Sequence, residues 1–117
     1  MIILKDKKIL AGLMYHRFHI KLVQVMCWII DHFDDATLTE SFRFQLHSND
    51  LHGTKPVRAI DLRSWVYEDA EKVVRLINET WEYDFERPHK LISIYHKNRK
   101  GNGYHLHIQV HPNTRKR

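Results

Sequence analysis

The sequence predicts an α+β domain, a small antiparallel or mixed sheet with two main helices packed on one face. Three observations carry this. Apolar residues recur at spacings of three and four in two segments, apolar and polar residues alternate in four others, and the two kinds of segment follow in segregated order. The 117 residues, 43% hydrophobic and 11% aromatic, suffice for one core. Residues 1–117 are therefore read as a single domain.

The elements follow in chain order. Met14, Phe18, Leu22, Val25, Ile29 and Phe33 mark an amphipathic helix over 14–33. TLTESFRF (37–44) and VRAIDLR (57–63) read as strands. Ala70, Val73, Val74, Ile77 and Trp81 mark a second helix, entered near Ser64-Trp65 and ended before Arg87-Pro88. LISIYH (91–96) and YHLHIQVH (104–111) are the last strands, joined by a hairpin-like connection at Asn102-Gly103. By periodicity Met14 and the Phe and Trp residues belong to the core.

Composition narrows the function classes. Net charge is +5 and pI about 9.4, with positive charge gathered in LKDKK, KNRKGNG and TRKR. Such runs suit anionic surroundings, nucleic acid or an acidic cell-wall polymer, or simply a solvated surface. The lone cysteine, Cys27, excludes an internal disulfide and a Cys-based zinc knuckle, and among VMCWII it reads as a small hydrophobe. No segment has the form of a secretory signal, and none approaches the roughly 20 apolar residues that span a bilayer. A soluble protein, cytoplasmic when made and without membrane contact, is expected.

The side of each strand that faces away from the core is the informative one. With the more apolar parity buried, Leu38, Phe42 and Phe44 point inward and Thr39, Ser41 and Arg43 outward. Ile60 and Leu62 point inward, leaving Asp61 and Arg63 outside. In GYHLHIQVH, His105, His107, Gln109 and His111 share the outer face. Ile92 and Ile94 point inward with His96, which places Ser93 and Tyr95 outward. In a common sheet, Arg43, Asp61, His105 and His107 then gather on one uncovered face.

A protein-held divalent metal needs ligands converging from different elements, with one position open if the site is catalytic. His107, Asp61 and, from the loop SNDLHGTKP, His52 can supply them. Two imidazoles and a carboxylate suit zinc, and other divalent ions also take such a set. His96, at a strand end, and His111, four positions past His107, are further candidates at the rim. Taken singly, each has a plain alternative: exposed strand histidines, a turn histidine, or an Asp61 paired with Arg58 or Arg63.

Two stretches resemble a known family. TESFRFQLHSNDLHGTKPVRAIDLR, Thr39 to Arg63, resembles the Ser-Gly-Tyr-Arg and Ser-x-His…Gly-x-Ala-x-Asp elements of the zinc D-Ala-D-Ala carboxypeptidases and related phage endolysin peptidases. GYHLHIQV resembles the His-x-His strand of the wider superfamily of lysostaphin-type, D-Ala-D-Ala and hedgehog-type folds. The likeness runs over about residues 14–111.

The resemblance implies a hedgehog/D-Ala-D-Ala peptidase-like fold and one Zn2+ per chain, held by His52, Asp61 and His107. It implies that Arg43 binds a substrate carbonyl or carboxylate and stabilises the oxyanion, and that His105 assists catalysis. The implied substrate is a cell-wall peptide of peptidoglycan. The implied origin is a phage or prophage, with action on the wall after release or within a phage particle. Ser41, Tyr95 and Tyr104 complete the residues expected near the site. Tyr104 stands where the carboxypeptidase branch has an acidic general base, so His105, or an acid such as Asp84 or Glu86, takes that role, or hydrolysis has been lost. A catalytically inactive metal-binding or structural relative is the alternative. A His-hydrophobic-His single-stranded DNA nickase is a third reading, and PNTRKR after His111 lacks the tyrosine it needs. Nucleic acid is therefore not the expected partner.

Overall fold

A computed structural model describes residues 1–41, 50–97 and 103–117. The expectations for Arg43, Phe42, Phe44 and the Asn102 half of the hairpin lie outside the described residues. Described are helices α1 (Lys7–Tyr15), α2 (Ile20–Phe33) and α3 (Ala70–Thr80), and strands β1 (Ile2–Leu4), β2 (Ala36–Glu40), β3 (Ala59–Arg63), β4 (Trp81–Glu82), β5 (Ser93–Lys97), β6 (Tyr104–Gln109) and β7 (Arg115–Lys116). The main sheet is mixed and five-stranded, in the order β1-β2-β3-β6-β5. Only β1 and β2 run parallel. β4 and β7 form a separate two-stranded ladder.

Directly opposed residues in a ladder share a face. Leu38, Leu62, Leu106 and Tyr95 form one row across four strands, and Ile60, Ile108 and Ser93 form the next. Onto this face α2 brings Leu22, Val25 and Ile29, and α3 brings Val73 and Ile77, all in one buried cluster. Each fully buried Leu or Ile there contributes about 1.5–3 kcal/mol. The other face of the central strands is left to polar residues.

Several expectations are corrected. The helix over 14–33 is two helices, because residues 17–19 are drawn off the helical path by Val57. Val57 N–H donates to the Arg17 carbonyl at 2.9 Å, His19 N–H donates to the Val57 carbonyl at 2.9 Å, and Phe18 bridges Val57. His19 then caps α2, its Nδ1 accepting from Lys21 N–H at 3.1 Å. Met14, counted as core, is 77% exposed at the end of α1. Trp65 and Phe85 are likewise exposed, and so is Cys27 on α2. Among the described residues there are three α-helices where two main ones were expected. α1 starts at Asp6, whose carboxylate accepts from Ile9 N–H at 3.1 Å. No described helix is long and apolar enough to cross a membrane.

Candidate metal centre

The polar face is built by register. Asp61 lies opposite His107, and His107 opposite Ile94. In the next row Arg63, His105 and His96 stand side by side. Asp61 and His107 thus come from adjacent central strands, which fixes their separation through the ladder. His52 is delivered separately by a 3-10 turn, Leu51–Gly53, capped by Asp50, whose carboxylate accepts from His52 N–H at 3.2 Å. Arg58 N–H donates to the Leu51 carbonyl at 3.2 Å and ties this turn to the start of β3.

The hydrogen bonds orient both imidazoles. His52 is 1% exposed, and its Nδ1–H donates to the Ser41 carbonyl at 2.8 Å. Its Nε2 lone pair therefore faces Asp61 Oδ1, 3.2 Å away. Gln109 donates its amide Nε2–H to the Leu91 carbonyl at 2.8 Å, which turns its Oε1 toward His107 Nε2–H at 3.2 Å. The His107 Nδ1 lone pair then faces the same Asp61 Oδ1, at 3.0 Å. Two ring lone pairs and one carboxylate oxygen converge, all acceptors, so an added proton or a cation must lie between them. Such an outer partner on each ligating histidine is the usual companion of a metal site. The three ligand atoms lie within 4.8 Å of one another, and the His52-Asp61-His107 group could hold a metal ion.

Asp61 is buried, which alone would raise its carboxyl. In the metal-free chain a proton taken up between Asp61 Oδ1 and the His107 or His52 ring supplies a hydrogen bond and positive charge that overcome this and hold the carboxyl well below the usual carboxylate range. His105 Nε2 stands 3.6 Å from Asp61 Oδ2, the oxygen turned away from the other two rings. Burial pushes the His105 imidazole down, against the pull of Asp61.

The sequence reasoning placed β5 on the wrong parity. His96 and Ile94 lie on the polar face, where His96 meets the His105 ring edge-on at 4.2 Å. Ser93 and Tyr95 lie on the core face. The strand begins only at Ser93, whose N–H and C=O are both bound by the Asn78 side chain of α3 at 2.9 Å. Ile92 is buried ahead of the strand and misled the count of apolar positions. Tyr104 also faces away from the centre and stacks on Tyr95 at 4.9 Å. Ser41 is buried and enters only through its carbonyl, while its hydroxyl donates to the Ile9 carbonyl at 3.4 Å.

His111 and Asp84 form a cluster elsewhere. Asn113 donates to Asp84 Oδ1 at 3.1 Å, and with the Glu86 N–H and Arg87 bonds it holds the Asp84 carboxyl down at about 2. His111 Nδ1 accepts from Asn113 N–H at 3.1 Å and lies 3.7 Å from Asp84. Neither Asp84 nor the exposed Glu86, hydrogen-bonded to it through its N–H, supplies the centre with an acid. Arg58 is engaged by the Val110 carbonyl and the Tyr83 hydroxyl, and Arg63 lies over the Trp65 ring at 4.9 Å.

One residue was missed. The ladder shifts between Leu38 and Glu40, so Thr39 bulges and Glu40 stands opposite Asp61. Strict alternation from Leu38 had put Glu40 in the core, and no residue type at Thr39 announces a bulge.

The fold and the centre define a class: an α+β domain carrying a His-Asp-His group suited to a metal. The chain matches no protein-family model, no curated protein and no solved structure.

Proposed function

We propose that the chain is a zinc-dependent peptidase of the peptidoglycan D-Ala-D-Ala carboxypeptidase and endolysin type, with a hedgehog/D-Ala-D-Ala-like fold and a phage or prophage origin. The observation that carries this is the convergence of the His52 and His107 lone pairs on Asp61 Oδ1, each ring held by a carbonyl on its far side. Two nitrogens and one oxygen, with a position left for solvent, favour zinc among divalent ions. Zinc bound there would bring the pKa of a water down toward about 7 and so supply a nucleophile at neutral pH.

The chain's own groups do the rest. His105, on the same face and kept neutral by burial, accepts or returns a proton beside the reacting carbonyl. Glu40, opposite Asp61, is the nearest acid by register and stands in for the carboxylate absent at Tyr104. Arg43 binds the substrate carbonyl or carboxylate. The basic surface holds the protein on an anionic wall, more weakly as salt rises.

The position of Tyr104 on the far face favours one second reading, a metal-binding relative without hydrolytic activity. Zinc analysis combined with digestion of purified peptidoglycan separates the two. One zinc per chain, absent in His52→Ala and His107→Ala, with peptide bonds cleaved by the parent and not by His105→Ala, is the expected result. Zinc without cleavage selects the second reading. Covalent attachment to nicked single-stranded DNA overturns both.

A further inference from the structure

The sheet has an open edge at β1, and we infer that it pairs antiparallel with β1 of a second copy of this chain, giving a two-fold dimer with a continuous ten-stranded sheet. Among the described residues β1 pairs only with β2. Ala36 N–H donates to the Met1 carbonyl and Lys5 N–H to the Leu38 carbonyl, each at 3.0 Å. By alternation, the N–H and C=O groups of Ile2 and Leu4 point away from the sheet. A bare row of this kind is a template for another strand.

The side chains around the edge are those of an interface. Ile2 is 54% exposed and Ile3 47%, on opposite faces of the strand. Leu10 and Met14, one turn apart on α1, and Ile20 and Val23 on α2 are exposed as well. A largely apolar groove of about 540 Å³ joins these elements, with Ile2, Leu13, Val23 and Cys27 in its wall. Among the described residues, the large exposed apolar side chains are therefore concentrated in the first 23 positions.

Charge selects a second copy as the occupant, and sets its direction. β1 runs parallel to β2, so its Met1 end lies beside Asp34 and Asp35, with Asp31 one turn back on α2; the Met1 ammonium pairs with Asp35 at 3.5 Å, and the end keeps a net negative charge. Its Leu4 end leads into Lys5, Lys7 and Lys8, with the Asp6 carboxylate capping α1 among them, and carries a net positive charge. All seven side chains are exposed. A strand laid antiparallel on this edge by a two-fold axis brings the basic end of one copy against the acidic end of the other, twice. A parallel arrangement would set like charges together. With Ile2 and Leu4 facing outward, the ladder closes with Ile2 opposite the partner's Leu4 and the axis through Ile3.

That register makes the inference testable by cross-linking. The two Ile3 positions form a non-hydrogen-bonded pair, with Cα atoms about 4.5 Å apart, a separation a disulfide can span. In a Cys27→Ser background, Ile3→Cys should oxidise to a covalent dimer in high yield, whereas Ile2→Cys should not. Sedimentation of the parent protein should give a dimer, and Ile3→Lys, which sets two ammonium groups together on the axis, should give a folded monomer with unchanged circular dichroism. A parent protein that sediments as a monomer overturns the inference. So does a dimer that survives Ile3→Lys, or one that cross-links equally through both cysteines. Every readout is independent of metal and of hydrolysis, so this test can fail while the peptidase reading stands, and the converse.

Discussion

Gln109 touches no metal ligand atom directly, yet it decides which nitrogen of His107 faces Asp61. Its amide is clamped at one end by the Leu91 carbonyl at 2.8 Å, and its oxygen receives His107 Nε2–H at 3.2 Å. Gln109→Met keeps the volume and removes both contacts. His107 can then place its proton on Nδ1, toward Asp61, and each metal-binding event must first reverse that choice. Loss of an outer partner of this kind weakens metal affinity by about tenfold to 100-fold, or about 1.4–2.8 kcal/mol. The fold loses less, about 1 kcal/mol, because the Leu91 residue is exposed and its carbonyl can turn to water. Zinc titration against a competing chelator at fixed pH measures the first quantity, and urea unfolding of the metal-free protein measures the second. Gln109→Glu retains an acceptor for Nε2–H and should recover most of the affinity. Equal zinc affinity in the parent and Gln109→Met would refute the proton bookkeeping on which the centre rests.

Other outcomes are expected. His107→Ala should lose zinc altogether, whereas His105→Ala should keep it and lose turnover; equal metal loss in both would make His105 a ligand. The carboxyl of Asp61 is depressed in the folded chain, so its ionised form favours folding above about pH 4 and this contribution fades as pH falls below that. Urea midpoints of the metal-free protein should therefore drop between neutral and acid pH, and less so in Asp61→Asn. Glu40→Gln should reduce hydrolysis of peptidoglycan peptides with zinc content unchanged, and full activity would remove Glu40 from the mechanism. Ile108→Ala, in the middle of the core face, should cost about 2–5 kcal/mol in urea unfolding.

The period of two identified the segments that hold β2, β3, β5 and β6, and residue chemistry brought His52, Asp61 and His107 together before any contact was known. What escaped depended on tertiary partners. The break between α1 and α2 exists because Val57, nearly forty positions away, offers backbone hydrogen bonds to residues 17–19. β1 is too short for alternation to register, and it is a strand because β2 lies beside it. The inverted reading of β5 arose where Asn78 holds Ser93 from α3, a contact that no local pattern encodes. Glu40 was hidden by the shift at Thr39. In each case the deciding interaction joins residues far apart in sequence, where periodicity carries no information.

The three ligands differ in how firmly the chain holds them. Asp61 and His107 sit on β3 and β6, each paired with a strand on both sides, and paired interior strands open at a higher free energy than a surface turn. His52 rides on a three-residue turn held by the Asp50 cap, the ring's bond to the Ser41 carbonyl, the Thr54 hydroxyl on the Leu51 carbonyl and a few backbone bonds. A bound ion would therefore leave by the turn lifting away, with the strands intact. Exchange kinetics would report this local hinge, so Asp50→Ala should speed metal release far more than it lowers the melting temperature.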